Sequence, residues 1–313
     1  MANQDTHVAN RTAPLVREHR GSAREGPRER LLAALPVTER RLSLNGVQTA
    51  VLEGGDGPPI VLLHGPGEYA AKWLRVIPNL VTTHRVIAPD LPGHGASEMF
   101  DTRPDGDRVS GWLDDLIECT CPIPPVLVGQ ILGGAIAARF ASERSERLAG
   151  LVLVDTLGLS EFQPTPAFGL ALSEFLSDPT EHTLDRLWSR CAFDLAALRR
   201  GMGEQWEYVR EYALDRARTP SAQAALHSLM EQFGMRAIPP ATLACITVPT
   251  TLIWGRYDLA TPLTVAREAS ARFGWPLQVI EDAGDDPPME QPEAFLKVLR
   301  AVLEAPTGRE ISL

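Results

Sequence analysis

The segment LVGQILGGAIAARFA, residues 127–141, combines a short buried strand, a glycine-rich turn and a helix of small residues. Gly129 and Gly133 have the spacing of the pattern G-x-S-x-G, in which a serine on a sharp strand-to-helix turn acts as a nucleophile. The central position of that pattern is Ile131 in this chain. An isoleucine has no group that attacks an electrophile, so the turn is predicted to lack a nucleophile.

The central residue of such a turn adopts a positive φ, which makes Ile131 unusual. A β-branched residue at positive φ is strained by about 1–3 kcal/mol. Either the turn has relaxed to ordinary geometry, or the isoleucine side chain recovers the cost by packing in the floor of a pocket. Both interpretations exclude covalent catalysis at position 131.

An alternation of strands and helices positions this turn. A hairpin is predicted around Asn45 and Gly46, and repeated strand–helix units follow it. One helix is predicted over residues 70–83. This order predicts an α/β fold with a mostly parallel central sheet and helices on both faces. Ligands of such sheets bind at the carboxyl ends of the strands, where the turn at Ile131 falls.

The strand pattern stops over residues 157–243, where the segments are amphipathic and predict helices. We therefore predict a core of residues 39–156 and 244–313, with an inserted helical cap over residues 157–243. Residues 1–38 begin with a polar stretch dense in Arg and Glu, which predicts a disordered N-terminal tail and lead-in. The start has no apolar segment typical of a signal peptide, and no run approaches the ~20 apolar residues of a membrane span.

Composition restricts the partners of the chain. Its formal net charge of −10 and pI of about 5.3 argue against nucleic acids and anionic membranes. No cysteine spacing indicates a metal site, so reduced thiols and a cytoplasmic location are predicted; the four are Cys119, Cys121, Cys191 and Cys245. We predict neither a cofactor nor a metal, and the sequence leaves the oligomeric state open.

Five landmarks in chain order resemble one family. They are His64-Gly65 after the third strand, DLPGHGAS at 90–97 after the fourth, the turn at 129–134, WGRYD at 254–258 after the seventh, and AGDDPPMEQPEAF at 283–295 after the last. With them, nearly the whole chain after residue 38 resembles the α/β-hydrolase superfamily in its capped, esterase- and epoxide-hydrolase-like form. The resemblance implies the α/β-hydrolase fold with an inserted cap.

The resemblance also implies a catalytic machinery, part of which is absent here. That machinery needs a nucleophile, a histidine base, an acid that orients the histidine and two oxyanion donors. The acid position matches at Asp258, and the N–H of Leu132 can serve as one oxyanion donor. The nucleophile position holds Ile131 and the histidine position holds Asp285. The second oxyanion position holds Pro66, which has no N–H.

The other side chains of the elbow and oxyanion region offer no replacement nucleophile. Gln130 precedes the central position, and an amide is not a useful nucleophile. His64 and Gly65 precede the oxyanion turn, where the histidine of this family is usually packed and hydrogen-bonded. His64 is nevertheless the nearest histidine to the expected pocket.

Asp258 and Asp285 are expected to be neighbours, because the acid and the histidine of the family normally hydrogen-bond. Two carboxyl groups in a partly dry site raise the pKa of one of them. Such a pair can act as general acid and base without a covalent step. The alternative is that the loop, with Asp286 beside Asp285, has opened into water.

Two functions of different classes therefore stay open. The first is an enzyme that acts on a small, largely apolar organic molecule under the cap by non-covalent acid/base chemistry, with Asp258 and Asp285 handling protons in hydrolysis, elimination or cyclisation. The second is a catalytically inactive descendant that binds a ligand or a partner. Cap side chains are expected to line an apolar pocket above Ile131, unless they fill the cap core instead; they are Phe168, Leu172, Phe175, Trp188, Phe193, Trp206, Met230 and Phe233.

Overall fold

A computed structural model describes residues 26–101 and 104–304 of the chain. Eight strands form one sheet in the order β1-β2-β4-β3-β5-β6-β7-β8. The strands are β1 (Thr38–Leu44), β2 (Val47–Gly54), β3 (Pro59–Leu63), β4 (Arg85–Pro89), β5 (Val126–Gln130), β6 (Gly150–Val154), β7 (Thr250–Gly255) and β8 (Leu277–Ile280). Strands β1, β2 and β4 pair antiparallel, and all other pairs are parallel. The predicted α/β fold with a mostly parallel sheet is confirmed.

Helices cover both faces of the sheet. They are α1 (Pro27–Ala33), α2 (Ile77–Leu80), α3 (Gly106–Thr120), α4 (Leu132–Arg144), α5 (Pro166–Ser177), α6 (Glu181–Cys191), α7 (Leu195–Met202), α8 (Gln205–Arg218), α9 (Pro220–Leu229), α10 (Pro240–Leu243), α11 (Leu263–Phe273), α12 (Pro287–Glu290) and α13 (Pro292–Glu304). Alternate residues of β3 show the two layers: Val61 packs with α3 and α4, whereas Ile60 packs with α2 and α13. The core is therefore continuous on each side of the sheet.

The predicted hairpin is present, whereas the helix predicted after β3 is interrupted. Asn45 and Gly46 join β1 to β2 with φ values of 44° and 81°, as expected for a short hairpin turn. The single helix predicted over 70–83 is wrong, because the chain forms a 3₁₀ turn at Ala70–Trp73 and then α2. Pro78 explains the break, since it has no N–H to donate to the carbonyl of Leu74.

The N-terminal segment is more ordered than its composition predicts. Residues 1–25 of the predicted tail lie outside the described residues, but the remainder contains α1 and the start of β1. Leu31 of α1 is fully buried. Arg28 pairs with the buried Asp90 at 3.0 Å, and Arg30 pairs with Glu211 at 2.7 Å. Arg28 and Arg30, two of the arginines in the predicted tail, thus have distant partners that composition does not show.

The chain between β6 and β7, which the structure describes without a gap, contains helices α5–α10 and a π-helical turn at Met230–Gly234. Phe168 and Phe175 of α5 are buried in a cluster with Leu184 and Leu187 of α6. The rings of Trp188 and Trp206 pack edge to face, 4.7 Å apart. None of the described helices is long and apolar enough to cross a membrane.

Candidate active site

The turn between β5 and α4 keeps the strained geometry of a nucleophile elbow. Ile131 has φ 47° and ψ −104°. Its N–H donates to the carbonyl of Val154 at 3.0 Å, and its carbonyl accepts from the N–H of Leu157 at 3.1 Å. Because bonds to the end of β6 fix both sides of the residue, the turn has not relaxed.

A close approach of α4 to β3 requires glycine beside the elbow. A Cβ atom on Gly133 would lie 2.5 Å from the carbonyl oxygen of Leu63. Leu132, the first residue of α4, is fully buried. This packing places the N-terminus of the helix directly over the end of β3, beside the oxyanion region.

His64 is a packed residue at the end of β3. Its Nε2 accepts from the N–H of Leu91 at 2.9 Å, and its Nδ1 donates to the carbonyl of Gly65 at 2.8 Å. Burial lowers the pKa of His64 to about 3, so the ring is neutral. Both ring nitrogens are engaged in these bonds, which gives His64 a structural role. Pro66 follows in the turn and offers no N–H.

Asp258 lies after β7, as the resemblance implies. It is 4% exposed and accepts from the N–H of Ala260 at 2.7 Å, from the N–H of Thr261 at 2.8 Å, and from the Thr261 hydroxyl. Burial raises the pKa of Asp258 to about 6, although these bonds favour the charged form. The carboxyl group is therefore held firmly and titrates near neutral pH.

Asp285 lies on the loop after β8 and is 7% exposed, so this loop has not opened into water. Its N–H donates to the carbonyl of Cys191 at the end of α6 at 3.1 Å, and the carboxyl group of Asp285 helps to raise the pKa of the Cys191 thiol. Burial, followed by the charges of Asp258 and Asp286, raises the pKa of Asp285 well above its usual range. The structure thus brings Asp258 and Asp285 into one electrostatic cluster.

Asp155 is a member of this cluster that sequence analysis missed. It follows β6, is fully buried and has a φ of 43°. Its Oδ1 accepts from the N–H of Gly255 at 2.8 Å, and the negative charge of Asp258 acts on its carboxyl group. The available signal was its position directly after the buried strand LVLV, at the carboxyl end of the sheet.

A buried ion cluster on the other side of the elbow was also missed. The Lys72 ammonium pairs with Asp286 at 2.8 Å and with Glu68. Burial lowers the pKa of Lys72, but the two carboxylates outweigh it and raise the pKa overall. Gln130 joins this group, since its Nε2 donates to Asp286 Oδ1 and to the carbonyl of Asp285, both at 3.1 Å.

Glu68 places a negative charge beside the oxyanion region. Its Oε2 accepts from the N–H of Gly65 at 2.9 Å. A Cβ atom on Gly65 would lie 2.8 Å from that oxygen and 3.6 Å from the Ile131 Cδ1 atom. The surface beside Gly65 therefore combines the apolar side chain of Ile131 with a carboxylate.

Two cavities occupy opposite ends of the sheet. One of about 420 Å³ lies at the carboxyl ends of β6 and β7, and its lining includes Thr156, Leu157 and Thr261. A larger one, of about 710 Å³, lies mostly at the amino ends of β5–β8, away from the carboxyl cluster. The smaller cavity adjoins the carboxyl cluster through Thr261, whose hydroxyl also binds Asp258. The apolar pocket above Ile131 stays a prediction.

Comparison with known proteins identifies the family to which the chain is similar. A model of the alpha/beta hydrolase family matches residues 60–298. A pimeloyl-[acyl-carrier protein] methyl ester esterase of Chromobacterium violaceum is 31% identical over 219 residues, which cover 68% of this chain and 81% of the esterase. The dihydrolipoyllysine-residue acetyltransferase component of the acetoin cleaving system of Pseudomonas putida is 28% identical over 253 residues, which cover 80% of this chain and 65% of that protein.

A solved structure shows the same likeness in three dimensions. The 2-hydroxy-6-oxo-6-phenylhexa-2,4-dienoate hydrolase of Rhodococcus sp. strain RHA1 superposes with a TM-score of 0.74 at 25% identity. The match covers 86% of this chain and 99% of that hydrolase. The family match, the sheet order and the elbow geometry agree. This chain belongs to the alpha/beta hydrolase family.

Proposed function

We propose that this protein is a hydrolase-family enzyme that acts on a small, largely apolar organic molecule by non-covalent acid/base chemistry. The observation that carries the proposal is the burial of Asp258 and Asp285 in one cluster, each with a raised pKa. Perturbed carboxyl groups at the carboxyl ends of parallel strands are typical of catalytic sites. Hydrolysis, elimination and cyclisation are the reactions that such a pair supports.

The two carboxyl groups suit different steps. Burial and the neighbouring charges raise the pKa of Asp285, so this group keeps its proton to a higher pH than an ordinary aspartate does. It is therefore the group that donates a proton to a leaving oxygen or carbon. Asp258, which accepts three hydrogen bonds, is ionised more readily and takes a proton from water or substrate. Positioned general acids and bases of this kind contribute about 10²–10⁴-fold in rate.

The relatives suggest which substrates to try first. One relative is named for a methyl ester and one solved structure for a dienoate. Methyl esters and dienoates are therefore the first compounds to assay as substrates. Molecules that the purified protein retains, identified by native mass spectrometry, form the second panel.

Asparagine variants test the proposed roles. Asp285→Asn and Asp258→Asn should each lower kcat/KM for a turned-over substrate by about 10²–10⁴-fold. Asp282→Asn, on an exposed residue of the same loop, is the matched control and should leave the rate unchanged. As pH rises through the raised pKa of Asp285, the acid loses its proton and the rate should fall. Full activity in Asp285→Asn would overturn the proposal.

A second candidate is a catalytically inactive descendant that binds a ligand or partner. The observation that favours it is that Lys72, Glu68 and Asp286 pair with one another. These polar side chains beside the elbow are therefore engaged in contacts within the protein and not free to act on a substrate. Retention of a specific small molecule, with no change of that molecule after prolonged incubation at any pH, would support this candidate over the enzyme.

A further inference from the structure

We propose that Asp155 and Asp258 share one proton across the carboxyl ends of β6 and β7, so that Asp155 is a positioning residue for Asp258. The inference rests on the proposed function only for the catalytic role of Asp258; the sharing of the proton does not depend on it. The sequence predicts Asp285 as the neighbour of Asp258. In this inference the direct carboxyl partner of Asp258 is Asp155 instead, and Asp285 acts on the two groups through its charge.

The hydrogen bonds of Asp155 satisfy one of its carboxylate oxygens and leave the other without an N–H or hydroxyl donor among the described residues. Oδ1 accepts from the N–H of Gly255 at 2.8 Å. Oδ2 is buried, and the described residues provide no N–H or hydroxyl donor for it. The Thr261 hydroxyl contacts both the Asp155 carbonyl, at 3.1 Å, and the Asp258 carboxyl group, so the two aspartates are neighbours. Two carboxyl groups hydrogen-bond only when one of them carries a proton, and burying both as anions would be far more costly.

The donors around each carboxyl group indicate where the proton resides. Asp258 accepts three bonds, from the N–H groups of Ala260 and Thr261 and from the Thr261 hydroxyl. Each of these donors stabilises the charged form of Asp258. Asp155 has a single such donor, so Asp155 is the protonated partner and donates to Asp258. Burial, and then the charge of Asp258, raises the pKa of Asp155 well above its usual range.

The backbone holds Asp155 in the conformation that this contact needs. Its φ of 43° is uncommon for a residue other than glycine. Its N–H donates to the carbonyl of Ile253 at 3.1 Å, and its carbonyl accepts from the Thr261 hydroxyl at 3.1 Å. Bonds to β7 and to the following loop thus maintain the strained residue and direct it to the Asp258 side of the sheet.

The other titratable groups near the pair favour the neutral form of Asp155. Asp285 and Glu290, from the β8 loop and α12, add negative potential at Asp155. Lys72 acts on Asp285 and Asp286, on the elbow side of the cluster. The Cys191 thiol faces Asp285, and its own pKa is raised by burial and by that carboxyl group. The pair therefore titrates as one unit, with Asp258 negative while Asp155 keeps its proton.

Carbon-13 NMR of the aspartate carboxyl groups tests the inference without any substrate. In the wild type, the Asp155 carboxyl carbon should stay at the protonated shift at pH values where Asp258 is ionised. Asp155→Asn should convert the two-step titration of Asp258 into a single step at lower pH, because an amide N–H replaces the shared proton. In Asp285→Asn the titration of Asp258 should keep its two steps. The control Asp56→Asn, at an exposed residue, should leave the titration of Asp258 unchanged.

Two results would overturn the inference. One is an Asp155 carboxyl group that is ionised together with Asp258 at neutral pH. The other is a two-step titration that Asp285→Asn abolishes and Asp155→Asn preserves. If Asp155→Asn fails to fold, the wild-type shifts alone decide between these outcomes. Confirmed sharing together with full turnover in Asp258→Asn would instead reject the proposed function and leave the inference intact.

Discussion

Lys72 carries a buried positive charge beside the elbow, between Glu68 and Asp286. Its side chain is 12% exposed, and those of its partners are 24% and 15% exposed. Each charge depends on the others, because an unpaired ion at this depth is strongly unfavourable. The cluster therefore joins the loop after β3 to the loop after β8, the same two loops that border Ile131.

Lys72→Met should lower the free energy of unfolding by about 3–5 kcal/mol, since it leaves two partly buried carboxylates without a cation. Urea unfolding at neutral pH measures the change. Lys297→Met is the matched control. Lys72 and Lys297 are the two lysines of the chain, and Lys297 is exposed on α13. A loss for Lys72→Met no larger than that of the control would show that the cluster is solvated rather than buried.

Besides the packing of Leu229 in the main core, two groups of contacts join the helices between β6 and β7 to the rest of the fold. On one side, Leu31 of α1 packs with Tyr212 of α8, and Arg28 of the same helix binds the core residue Asp90. On the other side, the N–H of Phe193 donates to Glu290 Oε2 at 2.6 Å, and the rings of Phe193 and Tyr257 stack 4.6 Å apart. Helix α1 therefore connects α8 to the core.

Removal of residues 1–34 should expose α8 to faster hydrogen exchange, because it removes the buried Leu31, worth about 1.5–3 kcal/mol, and the Arg28–Asp90 pair. Removal of residues 1–25 is the control, since it retains α1, and it should leave the exchange of α8 unchanged. Equal exchange of α8 in the two truncated proteins would mean that α1 does not stabilise α8.

The whole molecule shows which inferences a sequence allows. The sheet and the elbow were predictable, because buried strands, amphipathic helices and the spacing of Gly129 and Gly133 are local patterns. The contacts of Lys72, Asp155 and α1 were not, since each joins segments far apart in the chain. Gln130 and Asp285, which hydrogen-bond, are separated by 155 positions. No local pattern reports which buried carboxyl groups face one another.

The site also shows why chemistry is harder to predict than fold. The sequence predicts that Asp258 and Asp285 are neighbours, and the structure places both in one buried cluster. It adds Asp155 to that cluster, and it places the carboxylate of Glu68 beside Gly65, near Ile131. Because pKa values depend on every charge in such a cluster, the protonation of each group follows only from the assembled structure.

The molecule retains the elbow of its family, and we infer that no covalent chemistry occurs there. Treatment with a fluorophosphonate followed by intact-protein mass spectrometry and peptide mapping tests whether the elbow forms an adduct. We expect no adduct on the elbow of the wild type. The double variant I131S/D285H, which restores a hydroxyl and an imidazole beside Asp258, should gain one adduct. Its labelling should be slow, because Pro66 withholds an oxyanion donor worth about 10²–10³ in rate. A stoichiometric wild-type adduct that maps to residues 129–134 would contradict the account.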